Sequence, residues 1–153
     1  GGVTIGAIMA VNAFGDIVLP NSDIIIAGAR SVETGEFVDT ARTLRERGTA
    51  PRGIGKNTTI GVIATDASLS SEQINHLATV AQDGLARTIR PAHTMLDGDT
   101  VFGLATGKQR DDWRDSMVAL AAATSEVVAR AIVKAAALAT PAGGLPAGVP
   151  PSE

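Results

Sequence analysis

The sequence has no cysteine, no tyrosine and one tryptophan, and aromatic residues make up only 3% of it. Without cysteine, disulfides, a thiolate nucleophile and cysteine-ligated metal sites are excluded. The two histidines, His76 and His93, are too few for a histidine-rich metal site. No apolar run reaches the ~18 residues of a membrane-spanning helix. The nucleophiles that remain available are serine, threonine and lysine.

Charge of either sign is also sparse. Charged residues are 19% of the 153 residues, the net charge is −3 and the pI is about 5.3. This balance argues against a general nucleic-acid-binding protein, which carries a basic surface, and we expect neither nucleic acid nor membrane as a partner. The 44% hydrophobic content is typical of one globular domain, and we expect a cytoplasmic location. The chain opens with Gly1-Gly2 and no methionine, which indicates a piece of a longer protein.

The first thirty residues predict a β-meander. Apolar, partly β-branched runs cover 3–11, 17–19 and 24–29, with turn residues between them. Because aromatic residues are rare and glycine is frequent (17 residues), the core must be built from alanine, valine, isoleucine and leucine.

Residues 31–56 predict a mobile, solvated, basic loop. Between 41 and 56, five arginine or lysine residues stand against one glutamate, Glu46, and glycine and proline recur. A structureless segment of this length is uncommon inside a compact domain and is usually functional or disordered. A plain linker is the alternative interpretation.

The next segment predicts a strand followed by a helix. The strand begins at Thr58 and runs to Thr65. Ser70 and Gln73 have the spacing of a capping box, and apolar residues then recur with helical periodicity until Pro91 ends the helix.

A second strand and a second helix complete the prediction. The strand covers 100–106, and the alanine-rich helix covers about 111–139. The Pro/Gly-rich tail, 141–153, is expected to be disordered. Together these elements predict an α+β fold with two helices packed on one face of a sheet.

Thr58 is a candidate nucleophile because it is the first residue of a predicted buried strand and directly follows the end of the basic loop. If the Asn57–Thr58 bond were cut, Thr58 would gain an α-amine with a pKa near ~7.7–8.0, which could act as base for its own hydroxyl. The alternative is simple β-propensity, since threonine pairs commonly begin strands.

Two further positions carry suitable chemistry. Asp97-Gly98-Asp99 precedes a strand, and its two carboxylates could orient a nucleophile or hold an amine; an ordinary turn is the alternative. Asn12 lies in a predicted turn and could donate into an oxyanion hole, or could be a plain turn residue. His76 and His93 are expected to serve packing or the surface, and Trp113 is expected to be a core or interface anchor near the start of the last helix.

The sequence resembles the self-processing L-aminopeptidase/D-amidase–esterase family, which also holds β-peptidyl aminopeptidases and nylon-oligomer (6-aminohexanoate) endo-hydrolases. The resemblance runs from about residue 2 to the end of the last helix. It is carried by four ordered strings, NTTIGVIATDA at 57–67, DGLAR at 83–87, RPAHT at 90–94 and DGDTVFGLATG at 97–107.

The resemblance implies a chain that cuts itself at Asn57–Thr58 and uses Thr58 as an N-terminal nucleophile. It implies that Asp97 and Asp99 orient Thr58, and that Asn12 is an oxyanion or positioning group. Two-step acyl transfer on a small peptide or amide would follow, without cofactor or metal. The Asn-Thr junction is similar to the nylon-hydrolase branch.

The same resemblance implies a four-layer αββα sandwich and homo-oligomers, often tetramers of αβ units. Residues 1–57 would end the α subunit, with 31–57 as its flexible pre-cleavage loop, and residues 58–140 would form the β subunit. Family members are about twice as long and carry an upstream catalytic lysine or tyrosine that is absent here. The chain therefore resembles the C-terminal portion, whose partner would be the upstream part of its own α subunit.

Two alternatives stay open at this point. Ornithine acetyltransferases also cleave before a threonine and have a similar fold, which suggests an acyltransferase. A non-catalytic fragment or pseudoenzyme is consistent with the Gly1-Gly2 start and the absent upstream half.

Overall fold

The structure is a computed structural model that describes residues 2–49, 57–109 and 116–149. Its elements, in chain order, are β1 (Ile5–Asn12), β2 (Asp16–Val18), β3 (Ile25–Ala27), α1 (Thr40–Arg47), β4 (Thr58–Ala67), α2 (Ser71–Thr88), β5 (Ile89–Arg90), β6 (Thr100–Gln109) and α3 (Met117–Ala137). The α+β class predicted from the sequence is confirmed, and the αββα sandwich stays a prediction. Among the helices of these ranges, none is long and apolar enough to cross a membrane.

Two three-stranded sheets replace the predicted meander. The first has the order β1-β4-β6, with β1 antiparallel and β6 parallel to the central β4. The second has the order β3-β2-β5. The meander prediction was wrong because β2 does not return along β1. Gly15 instead lies against the Arg90–Pro91 backbone, where an added Cβ would meet Pro91 O at 2.2 Å.

The core lies between the first sheet and the two long helices. Alternate residues of β4, including Thr59, Ile63 and Ala67, are buried beneath α2 and α3. Every buried hydrophobic residue that the structure describes is isoleucine, valine, leucine or alanine, as predicted. The helices approach closely at Gly84, where an added Cβ would lie 2.7 Å from the Val128 side chain.

The capping box predicted at Ser70 is confirmed. The Ser70 hydroxyl accepts a hydrogen bond from Gln73 N at 3.3 Å, and the Gln73 side chain accepts one from Ser70 N at 2.8 Å. The helix ends at Thr88, three residues before Pro91. The strand predicted to close at Gly107 continues to Gln109.

A helix stands within the segment predicted to be a loop. Asp39 caps α1 by accepting from Arg42 N at 3.0 Å, and Gly48 ends it with a φ of 68°. The buried Asp16 carboxylate anchors its first residue, since it accepts from Thr40 N at 2.6 Å and Thr40 Oγ1 at 2.8 Å. The loop prediction failed because this anchor is remote in sequence.

Two residues of the predicted tail contact the rest of the molecule. Val149 N donates to Ile26 O at 2.6 Å. Gly148 lies so close to Ala136 O that an added Cβ would be 2.6 Å away. Gly148 and Val149 therefore pack against β3 and the end of α3.

The outer face of the first sheet is apolar and exposed, and we call it the open sheet face. Its side chains alternate with those that face the core, which are buried on β4 and partly buried on β1. Ile8 is 81% exposed and Phe102 is 58% exposed. The large apolar members are Ile8, Ile60, Val62, Phe102 and Leu104.

Candidate active site

Thr58 and Asn12, two of the predicted site residues, lie opposite each other at one end of the first sheet. Asn12 is the last residue of β1 and pairs with Thr58, the first residue of β4. Because β6 runs parallel to β4, the turn before β6 lies at the same end of the sheet. In that turn, the backbone of Asp97 forms an isolated parallel β-bridge with Asn57. The topology thus brings together residues that are up to 87 positions apart between Asn12 and Asp99.

Two donors converge on the carbonyl oxygen of the Asn57–Thr58 peptide bond. The Thr58 hydroxyl lies 2.5 Å from Asn57 O, and the Gly98 N–H donates to the same oxygen at 2.9 Å. An added Cβ on Gly98 would lie 3.3 Å from Thr58 Oγ1. Glycine therefore allows this backbone to approach the hydroxyl without crowding it. Gly98 was seen in the sequence only as the spacer between two aspartates.

Asp97 holds the turn that follows Asn12. One carboxylate oxygen accepts from Phe14 N at 3.0 Å, and the other accepts from Thr94 Oγ1 at 2.5 Å. Both oxygens therefore have partners, and the Asp97 carboxylate joins the β1–β2 turn to the turn before β6.

Asp99 holds the start of β4. Its side chain is 5% exposed, and one oxygen accepts from Thr59 N at 2.8 Å. The other oxygen lies 3.5 Å from Nδ1 of His93, which has a positive φ of 53°. The prediction that His93 serves packing or the surface misses this contact, although His93 belongs to the RPAHT string just before Asp99. The structure records no hydrogen bond between either aspartate and Thr58 within the described residues.

Asn12 lies beside the candidate nucleophile through its backbone. Its carbonyl accepts from Asn57 Nδ2 at 3.4 Å, while its side chain is exposed. Asn57 Oδ1 is buried and has no hydrogen-bond partner among the residues that the structure describes.

Among the residues that the structure describes, no group of three or more histidine, aspartate or glutamate side chains could hold a metal ion. Several sequence predictions lie outside those ranges. They are the basic end of the loop at 50–56, the start of the last helix together with Trp113 at 111–115, and the end of the tail at 150–153.

A model of a known protein family matches residues 1–147 and is described as peptidase family S58. The chain belongs to peptidase family S58. The resemblance predicted from the four sequence strings is thereby confirmed. Family S58 membership supports a hydrolase of the peptidase or amidase class.

Named relatives agree with family S58. The chain is 41% identical over 162 residues to an uncharacterized aminopeptidase of Mycobacterium leprae, covering 95% of this chain and 43% of the relative. It is 38% identical over 165 residues to one of Mycobacterium tuberculosis, covering 95% and 47%. It is 30% identical over 149 residues to the 6-aminohexanoate-oligomer endohydrolase of a Kocuria species, covering 89% and 41%. The chain spans less than half the length of these relatives.

Proposed function

We propose that this family S58 chain belongs to an autoproteolytic N-terminal-threonine amide hydrolase. It cleaves its own Asn57–Thr58 bond and then hydrolyses small peptides or amides through an acyl-enzyme on Thr58. One observation carries the proposal. The Thr58 hydroxyl and the Gly98 N–H both contact the carbonyl oxygen of the bond to be cut, at 2.5 and 2.9 Å.

The reaction begins with attack of Thr58 Oγ1 on the Asn57 carbonyl carbon. The hydroxyl proton passes to solvent water, the carbonyl oxygen becomes an oxyanion, and the Gly98 N–H stabilises that charge because it already donates to this oxygen. The C–N bond then breaks as the Thr58 nitrogen takes a proton from water, and an ester joins the Asn57 carbonyl carbon to Thr58 Oγ1. Water hydrolyses the ester, which leaves a carboxylate on Asn57 and a free amine on Thr58.

In turnover, Thr58 attacks a substrate amide in the same way. Its new α-amine, with a reference pKa near ~7.7–8.0, can accept the hydroxyl proton near neutral pH. Asp99 acts as a positioning residue through Thr59 N, and Asp97 does so through the turn after Asn12. We retain Asn12 as an oxyanion or positioning group because it pairs with Thr58.

The upstream part of the α subunit is the proposed partner of the open sheet face. That face exposes Ile8, Val62 and Phe102, and it lies on the same sheet as Thr58 and Asn12. An apolar patch of this kind is typical of an interface. The relatives are more than twice as long as the matched region, so they contain chain that could cover it. The predicted homo-oligomer stays a prediction.

The substrate class follows from the relatives' names and from the chemistry. An aminopeptidase and a 6-aminohexanoate-oligomer endohydrolase both cleave amide bonds. A linear amide with an aminoacyl or aminohexanoyl group is therefore the first substrate class to assay.

Intact-mass measurement of the purified full-length protein tests the proposal. We expect two fragments that separate between Asn57 and Thr58. Thr58→Ala should remain one chain and hydrolyse nothing, while Thr58→Ser, the matched control, should retain cleavage because it keeps the hydroxyl. A single mass that persists for days in the wild type, or cleavage in Thr58→Ala, would refute the proposal. Acetyl transfer between ornithine derivatives by the cut protein would favour the acyltransferase alternative.

A further inference from the structure

A cavity of about 240 Å³ lies beside Asn57, between α1 and the turn that follows β1. Its apolar walls come from Phe14 in that turn, Val38 ahead of α1 and Leu44 within α1. Asn57 itself forms part of the wall. The cavity therefore adjoins the residue whose carbonyl is the proposed site of attack.

The two threonines of the cavity wall offer no free hydroxyl proton. Thr40 Oγ1 donates to the buried Asp16 carboxylate at 2.8 Å, and Thr43 Oγ1 donates to Val38 O at 2.9 Å. Each hydroxyl has a single hydrogen, so both donors are already used. Among the described residues that line the cavity, none has an ionisable side chain. The cavity is thus suited to an uncharged group.

The position of Asn57 indicates what would occupy this cavity during turnover. Self-cleavage and substrate hydrolysis use the same hydroxyl and the same oxyanion donor. The substrate carbonyl must therefore take the place of the Asn57 carbonyl, which Gly98 N–H holds at 2.9 Å. It follows that Asn57 leaves this place after the cut, and that the acyl residue of the substrate then lies where Asn57 lies now, against this cavity.

We propose that the cavity between α1, Phe14 and Asn57 is the acyl-side specificity pocket, and that it selects an uncharged aliphatic or aromatic acyl residue. This inference rests on the proposed function. The cavity volume of about 240 Å³ exceeds the ~150 Å³ of an apolar cavity that binds benzene, so a six-carbon group fits. A charged acyl group is disfavoured because it would lose its hydration without gaining a partner.

Self-cleavage with a changed residue 57 provides one test on the full-length protein. Asn57→Asp adds a charge with almost no change of shape, and Asn57→Leu is its matched control because both lose the hydrogen bond from Nδ2 to Asn12 O. We expect Asn57→Leu to cleave within a few-fold of wild type and Asn57→Asp to cleave at least ~10-fold more slowly. Equal rates for these two variants would overturn the pocket.

Substrate preference provides the second test, with p-nitroanilides of leucine, glutamate and lysine as probes. Wild type should prefer the leucyl probe over both charged ones by at least ~10-fold. Leu44→Glu should raise the lysyl-to-leucyl ratio of kcat/KM by about tenfold, since it places a carboxylate in the wall. The control is Val32→Glu, which adds the same charge at a fully exposed position outside the cavity.

The outcomes separate the two proposals. A wild type that neither cuts itself nor hydrolyses any probe refutes the proposed function, and the pocket with it. A wild type that cuts and hydrolyses, but in which Leu44→Glu and Val32→Glu give the same ratios, refutes the pocket alone. If Leu44→Glu does not fold, the Asn57 series decides.

Discussion

Replacing Asp16 with alanine is expected to release α1 while both sheets stay folded. The carboxylate is buried and accepts from Thr40 N, Thr40 Oγ1 and Ala29 N at 2.6, 2.8 and 3.3 Å. Its removal leaves two buried donors of Thr40 unsatisfied, at ~1–3 kcal/mol each. Because a carboxylate no longer has to be buried, we expect a net loss of about 2–4 kcal/mol in the local stability of α1.

Limited proteolysis with trypsin measures this loss. The open fraction of a segment rises tenfold for every ~1.4 kcal/mol, so a loss of about 2 kcal/mol raises it roughly 30-fold. When opening is fast relative to cleavage, the cleavage rate follows that fraction. The sites within α1 are Arg42, Arg45 and Arg47, and reference sites in α2 and α3 are Arg87 and Arg130. The uncleavable Thr58→Ala background keeps self-cleavage from complicating the digest.

Two variants of Thr40 act as controls for Asp16→Ala. Thr40→Val removes the hydroxyl donor and should raise cleavage in α1 by a smaller factor, whereas Thr40→Ser keeps that donor and should stay near wild type. The reasoning is refuted if Asp16→Ala changes the α1 rate less than threefold. It is also refuted if the α1 and reference sites accelerate equally, because the loss would then be global.

Two further predictions concern glycines at close approaches. Gly84→Ala should destabilise the protein by about 1–3 kcal/mol in urea unfolding, because its Cβ would press on Val128 at 2.7 Å and on Ser125 O at 2.8 Å; an unchanged midpoint would contradict the close helix contact. Gly98→Pro removes the N–H on Asn57 O and should slow self-cleavage by ~10²–10³-fold, whereas Gly98→Ala keeps that N–H and should be slowed far less. Equal rates for these two Gly98 variants, followed by intact mass, would exclude the N–H as an oxyanion donor.

Elements specified by neighbouring residues could be predicted from the sequence. The capping box at Ser70 and Gln73 and the start of β4 at Thr58 depend on short-range chemistry, and the structure has both. The pairing of β2 could not be predicted, because a short, continuous apolar run does not specify its partner. That choice depends on the approach of Gly15 to Pro91, 76 residues away.

The helix α1 shows how local and remote signals combine. Asp39 and Gly48 have the chemistry of an N-cap and a C-cap and could have been recognised. The helix between them is polar apart from Ala41 and Leu44, with Thr40 as its one buried residue, so no apolar face marked it. Its stability depends on Asp16, which a local pattern cannot reveal.

The candidate site likewise combines residues that the sequence indicates with a contact that only the fold reveals. The four strings contain Thr58, Asp97 and Asp99, and the family resemblance that they carry also indicated Asn12. The structure brings these four residues to one end of the first sheet. The backbone N–H of Gly98 could not be assigned from a residue type, because every residue except proline has one. Only the fold reveals which N–H points at Asn57 O.

The pairing of β1 with β4 determines what a cut after Asn57 would do to the molecule. The ladder runs without interruption from Ile5 opposite Thr65 to Asn12 opposite Thr58. Its two strands lie on opposite sides of the proposed cut, so the pieces would remain joined by a complete antiparallel ladder. Cleavage would turn an intramolecular contact into a subunit interface, and unfolding would become a dissociation. The thermal midpoint of the cut protein would then fall on dilution, while that of Thr58→Ala would not.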